Sequence, residues 1–306
     1  MSNPLLSQKE TFDRYIKLEE PLLSSWAFVN VFGWQDFFRF EFKEIQKRLC
    51  VFAHYELGCF LYLPPLGGPL TQEILETVFE YMDGCNKNKS VSRIENIDAG
   101  QVSFFDESQY KIVLKAKEYV YRKDNLLGLK GNAFKSKRSE LNQFCKNYAA
   151  KFLPYEDSML TECLALYENW AGEKRKKSDD KIYLCMLEDN RRVHERTMRQ
   201  HQGLGLVGRV VLIDGRVEGY TFGFALNAKT FCVLFEVVNL KRKGLANFIF
   251  HEFCCDAALA PYSLINVMDD FGLENISRVK MSYRPSELVP TYTVSQPFDS
   301  VPRLVR

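Results

Sequence analysis

The sequence contains no stretch approaching the roughly 18 uncharged apolar residues that a membrane-spanning helix requires, so no transmembrane element is expected. Gly (17) and Pro (11) are sparse in 306 residues, which excludes fibrous and low-complexity architectures. There are four histidines, and His251-Glu252 lacks the second His one turn later that a zinc-hydrolase helix needs. No metal site is expected. The nine cysteines are an odd number with no Cys-x-x-Cys pair. Cys59, Cys163, Cys232 and Cys254 sit inside apolar runs, as buried free thiols do. This usage points to a reducing compartment rather than a disulfide framework. The first ten residues show no basic segment followed by an apolar one, and a cytoplasmic location is expected.

What is present is enough for two cores. The chain is 46% hydrophobic and 26% charged, with 24 Phe, 15 Tyr and a net charge of +2, which rules out wholesale disorder. Its length suits two domains of about 150 residues. Charge is unevenly placed. Residues 1–120 carry 13 Lys and Arg against 17 Asp and Glu, leaving 28 against 22 for the remainder. The basic excess gathers in Lys130–Lys151, in Lys174–Lys177 and in Lys241–Lys243. Such clusters suit an anionic partner, although each is also compatible with an ordinary solvated face.

Residues 24–40 are dense in aromatics, and Trp26, Phe28, Phe32 and Trp34 are read as core. Strands are expected at Arg48–His54, Cys59–Leu63, Arg93–Ile97 and Tyr110–Val113, with Pro64–Pro69 as a break. A helix is expected from Thr71, with Gly84 supplying the C′ position. The seam between two halves is placed at Tyr119–Asn125, giving domains 1–125 and 126–306. A helix over Ala133–Ala150 is expected to bury Leu141, Phe144, Cys145 and Tyr148 and to expose Lys135, Arg138 and Lys146. Helical patterns follow around Met159–Ala171 and Leu187–Gln202. Arg209–Ile213, Arg216–Leu226 and Thr230–Val238 then read as a meander, with Asp214-Gly215 and Asn227–Lys229 as hairpin turns. Gly244 opens a helix running to about Ala260, and a strand at Ser263–Val267 precedes an acidic loop and a short helix.

Within that order, Glu236 stands near the end of the third meander strand among apolar neighbours. A carboxyl there can accept a proton from an acceptor amine if burial raises its pKa; an edge carboxylate paired with Lys or Arg is the plainer alternative. Ser–His–Asp and Cys–His nucleophile arrangements have no support in the spacing.

An antiparallel meander, a basic loop and Gly244 opening a helix resemble the acyltransferase fold called GNAT. Its phosphate-binding loop is similar to Lys241-Arg-Lys-Gly244-Leu-Ala246. Ser24–Gln35, Pro64–Gly67, Lys130–Tyr148, Ile265–Gly272 and Lys280–Pro285 together resemble a bacterial family related to the C-terminal domain of phosphatidylglycerol lysyltransferases. The resemblance covers roughly residues 20–295. It implies an α/β (α+β) fold of two tandem GNAT-like domains, with mixed, mostly antiparallel sheets flanked by helices.

The activity it implies is acyl or aminoacyl transfer from a phosphate-bearing carrier to an amine or hydroxyl acceptor. Acyl-CoA and aminoacyl-tRNA are the candidate donors, and no tightly bound cofactor is expected. Lys130, Lys135, Lys137 and Arg138, with Lys241, Gly244 and Ala246, would hold the carrier, either coenzyme A or the acceptor end of a tRNA. Asp269 and Asn266 would contact the acceptor. Asp270 and Glu236 would act as bases, with Lys280 and Tyr283 beside the carbonyl. The lipid-modifying enzymes carry a membrane-embedded domain before this unit, and none is legible here, which points away from a lipid acceptor. The competing readings are an acetyl-CoA-dependent N-acetyltransferase and a non-catalytic RNA- or nucleotide-binding protein.

Overall fold

The computed structural model describes residues 3–177 and 179–297. The chain forms two compact units. The first runs to Glu118 and resumes at Val289, and the second is Tyr119–Leu288. The expected split lay near residue 125, with everything to 306 in the second domain. The passage between units is instead inside a single strand, and the described segment from Val289 returns to the first unit.

The first unit contains α1 (Lys9–Ile16), α2 (Phe28–Gly33), β1 (Arg39–Ile45), β2 (Arg48–Tyr55), β3 (Gly58–Leu61), α3 (Gln72–Cys85), β4 (Arg93–Asp98), α4 (Ala99–Val102) and the start of β5 (Lys111–Arg122). β1, β2 and β3 are an antiparallel meander, and β3 pairs parallel to β4 at Leu61 and Ile94. Helix α3 forms because Ile74, Leu75, Val78, Phe79 and Met82 share one face, all buried, and Thr71 caps the Ile74 N–H with its hydroxyl. Gly84 does not take the expected C′ position: it lies in the last turn of the helix, which ends at Cys85 with extended Asn86 as its cap. Trp26, Phe28 and Phe32 are buried, while Trp34 is half-buried against Phe37.

The second unit continues with α5 (Lys123–Gly128), α6 (Lys135–Asn147), β6 (Lys151–Pro154), α7 (Leu160–Arg175), α8 (Lys181–Arg199), α9 (His201–Leu204), β7 (Val207–Ile213), β8 (Arg216–Ala225), β9 (Thr230–Val238), α10 (Leu245–Cys255), β10 (Leu264–Asn266) and α11 (Glu274–Met281). The strand order is β5-β10-β9-β8-β7-β6, antiparallel except for the parallel pair β10–β9. The last described strand, β11 (Glu287–Ser295), pairs antiparallel with β4. Its Pro290 removes a donor and masks the strand from a pattern reading.

Several sequence expectations shift. Tyr110–Val113 is the beginning of the twelve-residue β5. Cys145, expected in the core, is exposed, and Phe144 is the buried residue of α6. Helix α10 stops at Cys255, because Asp256 adopts extended geometry and caps the next turn through the Ala258 N–H.

Register decides which face each side chain of β9 presents. Phe222 pairs with Phe235 but Gly223 with Val233, so Leu234 is an extra residue, a bulge. N-terminal to it, Phe231 and Val233 pack with Phe253 of α10. Beyond it, Val238 packs with Phe248 and Ile249 of the same helix. Phe235 points the other way and stacks on His194 of α8, ring centroids 3.9 Å apart. Gly223 is required here: a Cβ would lie 2.5 Å from the Cys232 carbonyl oxygen.

Candidate active site

The bulge sends Glu236 to the α10 side of the sheet. The residue is half-buried, yet its Oε2 is sealed from solvent and has no hydrogen-bond partner among the described residues. Desolvation pushes its pKa up to about 8. The Tyr283 phenol and the Cys254 thiol both lie close enough to feel its charge. A buried carboxyl with an open lone pair is costly unless something arrives to meet it.

Tyr283 sits at the head of a polar chain. Its hydroxyl donates to Asn247 Oδ1 at 2.5 Å, and Asn247 Nδ2 donates to Glu140. The Lys137 ammonium lies 4.2 Å from the centre of the Tyr283 ring. Burial lowers the Lys137 pKa, partly countered by the Glu140 charge. Phe250 and Tyr121 stand edge-on to Tyr283, at 5.0 and 6.3 Å. Asn247, Glu140, Phe250 and Tyr121 carried no sequence signal of their own. The i, i+3 pairing of Asn247 with Phe250 on α10 is the one trace available.

A second cluster occupies the loop from β10 to α11. Tyr119 donates to Asp270 Oδ2 at 2.5 Å and shares a 2.8 Å hydrogen bond with Ser277. Asp270 Oδ1 accepts from the Gly272 N–H at 3.0 Å. Burial alone would raise the Asp270 pKa. The hydrogen bonds from Tyr119, Gly272 and Ser277, with the Lys280 charge, outweigh that and hold it below the usual carboxylate value. The Lys280 ammonium donates to the carbonyls of Val267 (2.6 Å), Met268 (3.3 Å) and Asp269. Tyr121 touches both clusters: its ring packs on Tyr283 and its hydroxyl donates to the Lys280 carbonyl at 2.9 Å.

The other expected acceptor contacts are inward or local. Asn266 is fully buried and accepts from the Met268 N–H at 2.7 Å. Asp269 accepts from the Phe271 N–H at 3.0 Å, an Asx turn.

The expected carrier residues separate into two groups. Lys130 and Lys135 are exposed. Arg138 is spent on the Leu129 and Gly131 carbonyls, where it closes the loop before α6. In the basic loop, Lys241 and Lys243 are exposed, whereas Arg242 pairs with buried Glu218 at 2.8 Å. Gly244 takes a left-handed conformation, φ +86°, and a Cβ there would lie 2.8 Å from the Glu140 carbonyl oxygen and 3.0 Å from Phe144 Cβ. The N-terminal turn of α10 at Gly244 is therefore packed under α6, while exposed Ala246 follows it. In the first unit, a depression of about 620 Å³ lined by Leu18, Glu19, Leu70, Gln101 and Phe104 contains none of these residues. Among the described residues, no group of three or more His, Cys, Asp or Glu is placed to hold a metal ion.

This architecture is that of tandem GNAT-like proteins. It is similar to a tandem GNAT protein from the clavulanic acid biosynthesis pathway, at 10% identity and TM-score 0.51, over 97% of this chain and 98% of that one. A conserved protein of unknown function from Bacteroides thetaiotaomicron is more alike, with TM-score 0.83, 21% identity, and coverage of 95% of this chain and 97% of that one. The C-terminal domain of a putative lysylphosphatidylglycerol synthetase from Agrobacterium fabrum matches at TM-score 0.65 and 12% identity, over 94% and 92%. The sequence profile of the phosphatidylglycerol lysyltransferase C-terminal family matches residues 21–295, and the chain belongs to that family. No curated protein sequence matches it. Among the described residues, no helix is long and apolar enough to cross a membrane.

Proposed function

We propose that the protein is an aminoacyltransferase that moves an aminoacyl group from the acceptor end of a tRNA to an amine or hydroxyl, with Glu236 as the general base. The observation carrying this reading is the sealed, unpartnered Oε2 of Glu236, whose carboxyl titrates at about 8. The acceptor nitrogen or oxygen attacks the ester carbonyl and gives its proton to the Glu236 carboxylate. The tetrahedral intermediate then collapses, the ester C–O bond breaks, and the ribose oxygen leaves with a proton. Asp270 and Lys280 hold the neighbouring loop in shape through Tyr119 and the backbone carbonyls, and Tyr283 shapes the wall beside Glu236. The donor is a substrate, so no tightly bound cofactor enters the scheme.

Two features favour tRNA over coenzyme A. The helix N-terminus that would receive a pyrophosphate is packed against α6 at Gly244, and Lys130 and Lys135 stand exposed at the start of α6. The sequence pattern Lys241–Ala246 is the feature that favours an acetyl-CoA-dependent enzyme instead.

The test is transfer from labelled aminoacyl-tRNA to an amine acceptor as a function of pH. The expected kcat/KM rises through about pH 8, where Glu236 becomes the carboxylate, and Glu236→Gln loses at least about 10²-fold with the pH dependence gone. Transfer from acetyl-CoA alone would establish the acetyltransferase. Retention of tRNA binding with no transfer to any acceptor would establish a binding protein.

A further inference from the structure

The depression of about 620 Å³ in the first unit takes no part in the transfer reaction, and its size is that of a small-molecule site. One wall is the chain just after α1, at Leu18 and Glu19. The others are the Pro64–Pro69 turn with Leu70, and the α4 region with Gln101, Ser103 and Phe104. The family profile begins at residue 21, so the Leu18–Glu19 wall lies outside the residues that the profile matches. That wall is docked by specific contacts. Glu19 Oε1 accepts from the Gly67 N–H at 2.8 Å and from the Gly68 N–H at 3.2 Å, so two successive amides hold one oxygen. Tyr15 packs on the same turn so closely that a Cβ on Gly67 would lie 2.6 Å from its ring, and its hydroxyl donates to Glu44 at 2.5 Å.

The docking leaves the other carboxylate oxygen open. Among the described residues, Glu19 Oε2 has no hydrogen bond and no cation within ion-pair range. Arg48, a cation on the same turn, is committed to the Gly67 and Pro69 carbonyls. Gln101 adds a second acceptor, because its Oε1 receives no hydrogen bond among the described residues. Asp98 fixes its backbone by accepting from the Gly100 and Gln101 N–H groups. Beside these acceptors stand apolar surfaces: Leu18 and Phe104 are 69% and 40% exposed, and Leu70 is buried.

A lining of acceptors and apolar groups matches a ligand that donates hydrogen bonds and is partly apolar, and a carboxylate pairs best with a cation. A metal ion fits poorly, since no group of three or more His, Cys, Asp or Glu is gathered among the described residues. A quaternary ammonium has no N–H to give, and Phe104 alone does not make an aromatic cage for it. We infer that this depression binds a primary ammonium carried on a short apolar chain, with its N–H groups on Glu19 Oε2 and the chain against Leu18, Leu70 and Phe104. The carboxylate is held in place before the ligand arrives, which lowers the ordering cost of binding. The inference stands on the first unit alone and is independent of the role given to Glu236.

Calorimetric titration of the full chain with hexylammonium chloride tests it, against 1-hexanol and sodium hexanoate at the same ionic strength. One saturable site with a Kd of about 1 mM or tighter is expected, with 1-hexanol weaker by about tenfold or more and hexanoate not binding. Glu19→Gln keeps an oxygen for the two glycine N–H groups and removes the charge, so it should weaken hexylammonium by about tenfold. Phe104→Ala, at an exposed position, should weaken it by about threefold through lost apolar contact. Glu236→Gln should bind as wild type does, which separates this site from an acceptor amine held at the base. No saturable binding of hexylammonium would overturn the inference, as would equal affinity for 1-hexanol. Unchanged affinity in Glu19→Gln, or loss confined to Glu236→Gln, would overturn it too. The comparison of the three ligands on the wild type stands whether or not a variant folds.

Discussion

At the scale of single residues, Glu236 places stability and activity in opposition. The fold favours its neutral form, with the pKa raised to about 8 by burial. Its contribution is therefore most favourable below the unfolded-state value of 4.5 and is lost as pH rises toward 8. Glu236→Gln keeps the shape and removes the titration. We expect the variant to be more stable than wild type at pH 8, by about 1–3 kcal/mol, and to show little gain at pH 4. Thermal melts of both proteins across that range check this, and a gain independent of pH would point to packing instead. Lys280 has the opposite character. Its ammonium is the common donor to three loop carbonyls, so Lys280→Met should cost about 1–3 kcal/mol of stability. Its effect on transfer should track the folded fraction measured by circular dichroism. Both residues are legible in the sequence as charged groups in suggestive places. What distinguishes them is where their charge ends, and that depends on partners 11 to 13 residues away or, for Glu236 Oε2, on having none among the described residues.

At the scale of elements, the β9 bulge and the α10–α6 contact place the site. A two-residue period run through Thr230–Val238 without a bulge puts Glu236 on the face opposite Phe231 and Val233. The extra residue at Leu234 brings it back to their side. Nothing in the residue types announces that insertion apart from Gly223 across the ladder, whose missing Cβ admits the Cys232 carbonyl. Gly244 is the second such position. Its left-handed backbone and the Glu140 carbonyl beside it mean that Gly244→Val should lose roughly 2–4 kcal/mol through strain and overpacking. Weaker ligand binding by that variant would then report unfolding rather than a lost phosphate contact. Chemical denaturation distinguishes the two, since loss of a contact alone leaves the midpoint unchanged. Helix α3 shows the reverse situation at its start: its Thr71 cap and apolar stripe are local and legible, whereas Gly84, expected at C′, lies inside the helix.

At the scale of the whole molecule, the basic excess of the second half resolves into charges with different tasks. Arg138 and Arg242 are committed to carbonyls and to Glu218, and Lys137 to the Tyr283 ring. Lys130 and Lys135 are exposed and available for a backbone phosphate. Replacing both with Gln should reduce the salt dependence of tRNA binding by about 1.4 log units per log unit of salt, at about 0.7 for each neutralised single-strand phosphate. The melting temperature should be unchanged. A slope unaltered in the double variant would remove these two lysines from the interface.

The sequence by itself determined what depends on neighbours along the chain and on recurring patterns. These are the apolar faces of α3 and α10, the meander with its turns, and, through motif resemblance, the family. Tertiary structure decided what depends on distant contacts. Tyr119 meets Asp270 across 151 positions and Asn247 meets Glu140 across 107, and β11 returns the chain to the first unit. Residue type states what a side chain can donate, accept or titrate. Whether it does so depends on burial and partners, which arise only when segments remote in sequence pack together and exclude water.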